Sequence, residues 1–122
     1  MQFIKNRRFG VEVSKFFDRI CCINLDTRPD RWHYVQDHFV KFGLKKKVER
    51  ISAVDVRNDP ELKIHEKLLK DNFSLLAMCG CMLSHRKIIE HAKKAGLHNV
   101  LVFEDDVKIL RSNISNIHKS LN

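Results

Sequence analysis

No hydrophobic run in this 122-residue sequence is long enough to cross a bilayer. Its first residues do not read as a secretion signal either. Met1 to Phe17 interrupts its apolar residues with Lys5, Arg7, Arg8, Glu12 and Lys15, leaving no continuous apolar core. The expectation is a cytoplasmic chain, in which the Asn-x-Ser sequons at Asn72 and Asn113 carry little meaning. Glycine is scarce, at four residues, and nowhere clustered. A Walker phosphate loop and a dinucleotide fingerprint are therefore both excluded. The four cysteines lack the two-residue gap of a zinc knuckle, since Cys21 and Cys22 are adjacent and Cys79 and Cys81 flank Gly80. They are expected as buried free thiols. Aromatics are few (8%) and not interleaved with basic residues, which disfavours a nucleic-acid-binding domain.

What is present is a basic, globular composition. The formal charge is +8, with 43% hydrophobic and 31% charged residues. Such a balance favours polyanionic partners, whether nucleotides, nucleic acid or, for a peripheral protein, an anionic membrane face. The tightest basic run, Lys45-Lys46-Lys47, reads as a solvated loop.

Apolar patterning alternates between two periods. Ile20 to Leu25 reads as a strand leading to a helix over Asp30–Phe42, with Thr27 or Asp30 as cap. Trp32, Val35, Phe39 and Phe42 make that helix's apolar stripe, and Gly43 stops it. A weaker strand follows from Val48 to Val54, ending at Asp55, and a polar helix is expected from Glu61 to Lys70. A third helix, Gly80 to Ala95, carries Cys81, Ile88, Ala92 and Ala95 on one side and ends at Gly96. The strand Val100–Phe103 comes next, and Ile109 to Leu121 has helical spacing. Strands alternating with helices predict an α/β domain with a parallel sheet.

Three acids, Glu104-Asp105-Asp106, follow that last strand directly. Strand alternation would put Glu104 and Asp106 on one face and Asp105 on the other. Ligands bind at the carboxyl edge of such sheets, and paired carboxylates there either meet a cation or form an ordinary solvated acidic turn. A second group of interest, Asn24 to Arg31, closes the first strand. Arg28 and Arg31 could hold phosphate oxygens there, or simply pair with the neighbouring acids. A third is Gly80-Cys81-Met82-Leu83-Ser84-His85, where adjacent Ser84 and His85 point about 100° apart on a helix and do not make a nucleophile–base pair.

Four segments, Ile23-Asn24-Leu25-Asp26-Thr27-Arg28-Pro29-Asp30-Arg31, Val48 to Asp55, Gly80 to His85 and Val102 to Val107, together resemble the successive signatures of glycosyltransferase family 25, which includes lipopolysaccharide and collagen galactosyltransferases. The resemblance runs from about Arg19 to Val107. It implies a GT-A type nucleotide-sugar fold, a UDP-sugar donor (galactose or glucose), a glycan or protein hydroxyl acceptor, and Mn²⁺ or Mg²⁺. It implies Asp106 as the leading metal ligand with Glu104 beside it. Asn24, Asp26, Arg28, Arg31, Asp55, Ser84, His85 and Asp105 would then contact the donor. The chain stops soon after Asp106, so residues 19–122 are expected as the donor-binding half of the GT-A domain, after an N-terminal extension over residues 1–18. The family's catalytic base has no assigned counterpart here. A nucleotide-binding remnant without turnover, or a regulatory module, is the alternative reading.

Overall fold

The computed structural model describes residues 2–57, 73–110 and 114–121. Its elements run α1 (Gln2–Phe16), β1 (Arg19–Asn24), α2 (Pro29–Lys41), β2 (Val48–Ser52), α3 (Phe73–Lys94), β3 (Val100–Glu104) and α4 (Ile114–Leu121). The strands form one parallel sheet in the order β2-β1-β3. The register pairs Ile20 with Val48 and Leu101, and Ile23 with Ile51 and Glu104. Because β2 and β3 flank β1 on opposite sides, the chain reverses its winding direction across β1. The carboxyl ends of β1 and β3 therefore form a topological switch point, where adjoining connections diverge and leave a crevice.

Strand β1 is buried on both faces, and its alternation builds two cores. Ile20 and Cys22 face Phe9 and Val13 of α1 and Val35 and Phe39 of α2, with Leu44 beneath the turn. Cys21 and Ile23 face Ile88 of α3. The adjacent cysteines thus point to opposite sides, and all four thiols are free. Burial pushes the Cys22 thiol up to about 12, so it remains a neutral apolar filler. Cys79 and Cys81 depart from the expected burial and are only partly covered.

Helix α2 begins with Pro29 at its first turn, where a missing N–H costs nothing. Its cap position is Arg28, with no side-chain cap bond, so neither Thr27 nor Asp30 caps it. Val35, Phe39 and Phe42 are buried, as the stripe predicts. Gly43 takes φ 72°, and the chain turns back so that Leu44 N–H reaches the Phe39 carbonyl at 2.9 Å. Helix α1 packs on that turn through Gly10, where any Cβ would collide with the Phe42 and Gly43 carbonyls.

Helix α3 starts before Gly80, and its buried line is Gly80, Ser84, Ile88 and Ala92; Ile88 and Ala92 are buried as expected, whereas Cys81 and Ala95 are not. Cys81 is one residue, about 100°, round the helix from Gly80 and only partly covered, and Ala95 lies just past the helix end at Lys94 and is exposed. Ile109 and Leu110 lie outside helix α4. The helix expected over Glu61 to Lys70 lies outside the described residues. Among the described residues, no helix is long and apolar enough to cross a membrane.

Candidate functional site

The switch-point crevice is a cavity of about 340 Å³ between the carboxyl ends of β1 and β3, the segment after β2, and the first half of α3. Each wall has a local cause. Ser84, fully buried, donates to the Gly80 carbonyl at 2.7 Å and accepts the Val54 N–H at 2.9 Å. This ties α3 to the chain leaving β2. Close approach there needs Gly80, because a Cβ would stand 2.8 Å from the Val54 carbonyl oxygen. Val54, Val56, Leu76 and Ala77 thereby become the apolar side of the cavity.

The polar side is organised by Asn24, the last residue of β1 and only 2% exposed. Its Nδ2 donates to Asp105 Oδ2 at 2.8 Å and to the Arg28 carbonyl at 3.0 Å. Its Oδ1 accepts Arg50 Nε at 3.0 Å. One buried amide thus joins β1, β2, the start of α2 and the acidic turn. Asp105 also meets the Arg31 guanidinium at 3.0 Å, while Asp106 approaches the same group at 3.9 Å and is 66% exposed. The strand ends at Glu104, and Val107 N–H turns back to the Glu104 carbonyl at 3.1 Å. Strand alternation therefore stops before Asp105, and Asp105 and Asp106 both reach Arg31.

Glu104 instead points to α3. Its Oε1 lies 3.0 Å from Cys81 Sγ and 3.0 Å from His85 Nε2. These contacts hold the Glu104 carboxyl below its usual range, the thiol bond contributing most. In return the carboxylate, with burial, pushes the Cys81 thiol up to about 11.

Of the residues singled out in the sequence, Asn24, Arg31, Asp55 and Ser84 line the cavity with the three acids. Asp26, Arg28 and His85 do not. Asp26 accepts from Arg50 at 2.7 Å and from Ser52 at 2.8 Å, and these bonds lower its pKa. Arg28 is held by Asp30 at 2.9 Å, a pairing that takes the Asp30 carboxyl down to about 2. His85 stands behind Glu104. Arg57, Arg50 and Cys81 were missed as site residues. Arg57 lines the cavity and donates to Asp55 Oδ1 at 3.0 Å. Its signal was the Asp55-Val56-Arg57 spacing just past a strand. Cys81 was legible as the residue four before His85, on the same helix face.

The sequence matches the family profile described as Glycosyltransferase family 25 (LPS biosynthesis protein) over residues 17–122. The chain belongs to glycosyltransferase family 25. A Glycosyltransferase 25 family member of Drosophila pseudoobscura pseudoobscura is 32% identical over 101 residues, covering 75% of this chain and 16% of that protein. A Glycosyltransferase 25 family member of Anopheles gambiae is 32% identical over 114 residues, covering 83% of this chain and 19% of that protein. The chain thus spans less than a fifth of the length of these family 25 relatives. No solved structure matches it.

Proposed function

We propose that the switch-point cavity is the donor site of a hexosyl transfer, taking a UDP-sugar in the manner of a GT-A enzyme, with a glycan or protein hydroxyl as acceptor. The observation that carries this reading is the charge of the cavity lining. Among the described residues, Asp55, Glu104, Asp105 and Asp106 line it against Arg31 and Arg57, in a chain whose formal charge is +8. A bare diphosphate would meet excess negative charge, so its binding calls for a divalent cation.

The residues present fit a hard cation such as Mn²⁺ or Mg²⁺. Asp105 is committed to Asn24 and Arg31, whereas Asp106 keeps exposed carboxylate oxygens. Asp106, with Glu104 through the carboxylate oxygen that Cys81 and His85 do not engage, matches the small number of carboxylates that such ions take alongside phosphate oxygens and water. When bound, the cation would offset charge building on the departing diphosphate.

The remaining work falls to the chain. Asp105, itself fixed by Asn24, presets Arg31, and Asp55 presets Arg57. Each guanidinium has five N–H donors, so both retain some for phosphate oxygens. The apolar wall of Val54, Val56 and Leu76 offers cover for the nucleoside. In the transfer, the acceptor hydroxyl oxygen bonds to the anomeric carbon as the bond from that carbon to the diphosphate oxygen breaks, releasing UDP, and the hydroxyl proton passes to solvent.

Calorimetric titration of UDP with Mn²⁺, with Mg²⁺ and with chelator tests this reading. Binding should require the cation and fall at least about tenfold in Asp106→Asn, a surface substitution expected to leave folding intact. Metal-independent binding, unchanged in that variant, would overturn it.

A further inference from the structure

Cys81 Sγ, His85 Nε2 and a Glu104 carboxylate oxygen all lie within 4.8 Å of one another. Both α3 residues meet the same atom, Glu104 Oε1, at 3.0 Å. The spacing of four residues brings thiol and imidazole to one helix face, and the end of β3 delivers the carboxylate. The donor-site reading accounts for Glu104 but gives Cys81 and His85 no part in holding a cation.

From this geometry we infer that Cys81, His85 and Glu104 form a second divalent-cation site, suited to Zn²⁺, that clips α3 to the end of β3 beside the cavity. Sulfur, nitrogen and oxygen donors together select a borderline-soft ion over Mn²⁺ or Mg²⁺. The edges of a tetrahedral zinc site with these donors are about 3.2–3.6 Å, from metal–ligand bonds of about 2.0–2.3 Å. The carboxylate oxygen would retreat from the two 3.0 Å contacts by only a few tenths of an ångström. In the metal-free chain, hydrogens on sulfur and nitrogen bridge these atoms. On metal binding the Cys81 thiol loses its proton to solvent, and the neutral imidazole carries its proton on Nδ1. Three protein ligands leave the fourth position to water. Both ligand-bearing side chains on the exposed flank, His85 at 36% and Glu104 at 47%, give the ion a path in.

This inference does not depend on UDP binding. The test is titration of the 122-residue chain with Co²⁺ as a spectroscopic probe, followed by displacement with Zn²⁺. The expected result is one Co²⁺ per chain with a thiolate-to-metal charge-transfer band, which Zn²⁺ abolishes stoichiometrically. Cys81→Ser should lose the band, and both Cys81→Ser and His85→Ala should weaken Zn²⁺ at least about tenfold. Cys79→Ser should behave as the parent. Asp106→Asn should keep the band even if it loses Mn²⁺-dependent UDP binding, which separates failure of this site from failure of the donor site. Circular dichroism checks that each variant is folded. Absence of the band in the folded parent, or an unchanged band in folded Cys81→Ser, would overturn the inference.

Discussion

Replacing Asn24 by alanine removes the side chain that joins the end of β1 to Arg50, to the start of α2 and to Asp105. Three hydrogen bonds disappear: to Asp105 at 2.8 Å, to the Arg28 carbonyl at 3.0 Å and from Arg50 at 3.0 Å. Bonds to charged groups contribute about 1.5–3 kcal/mol each, and neutral ones about 1. The losses are unequal. Arg50 keeps Asp26 at 2.7 Å and is 32% exposed, so water replaces part of what it loses. Asp105 is 12% exposed and among the described residues keeps Arg31 alone, so its desolvation is poorly compensated. Summing a charged bond lost in full, another lost in part and a neutral one gives about 3 kcal/mol. With a urea m-value of about 1–2 kcal/mol per molar, the midpoint should fall by about 1.5–3 M with m unchanged. The assay is urea unfolding followed by circular dichroism, in a cycle with Asp105→Asn. Residues sharing a buried hydrogen bond should couple by more than about 0.5 kcal/mol. A loss below about 1 kcal/mol, or strict additivity in the cycle, would refute the assignment of Asn24 as the organising residue.

Two further outcomes follow from packing and titration. Gly80→Ala drives a Cβ to 2.8 Å from the Val54 carbonyl oxygen, and should cost about 1–3 kcal/mol, read as a lowered thermal midpoint; a midpoint equal to the parent's would contradict the close approach. His38 accepts the Ile109 N–H at 2.7 Å on Nε2, and burial pushes its pKa down from 6.5. The unfolded chain therefore binds the proton more readily, so this contribution to stability is complete above about pH 6.5 and is lost as pH falls below it. Urea midpoints between about pH 7.5 and pH 5.5 should decline less in His38→Gln than in the parent, and equal declines would contradict the mechanism.

Local rules explain how much of the architecture was legible. A short apolar run such as Ile20–Leu25 can be satisfied only by burial on both faces, and β1 is so buried. The three-and-four spacing of Val35, Phe39 and Phe42 belongs to the chain itself, as does the positive φ that glycine permits at position 43. The α3 stripe held at Ile88 and Ala92 and departed from the pattern at its ends. Periodicity alone could not tell that α3 buries Gly80 and Ser84 and leaves Cys81 on the cavity side. That choice depends on Val54 approaching a residue without a side chain.

The acidic triplet divides the same way. Its place after an apolar strand, in order with three earlier segments, was written in the sequence and sufficed for family membership. Which partner each acid takes was not. Asn24 and Asp105 are 81 residues apart, and Cys81 and Glu104 are 23 apart. Hydrogen bonds over such separations exist only after β1 and β3 pair and α3 docks across them. Sequence pattern therefore determined the strands, the α2 stripe and the position of the acids, because these follow from local geometry and burial. Only the tertiary structure decided that Asp105 is spent on Asn24 and Arg31, that Glu104 turns to Cys81 and His85, and that Asp106 is left facing the cavity, because direction and desolvation are set by distant neighbours.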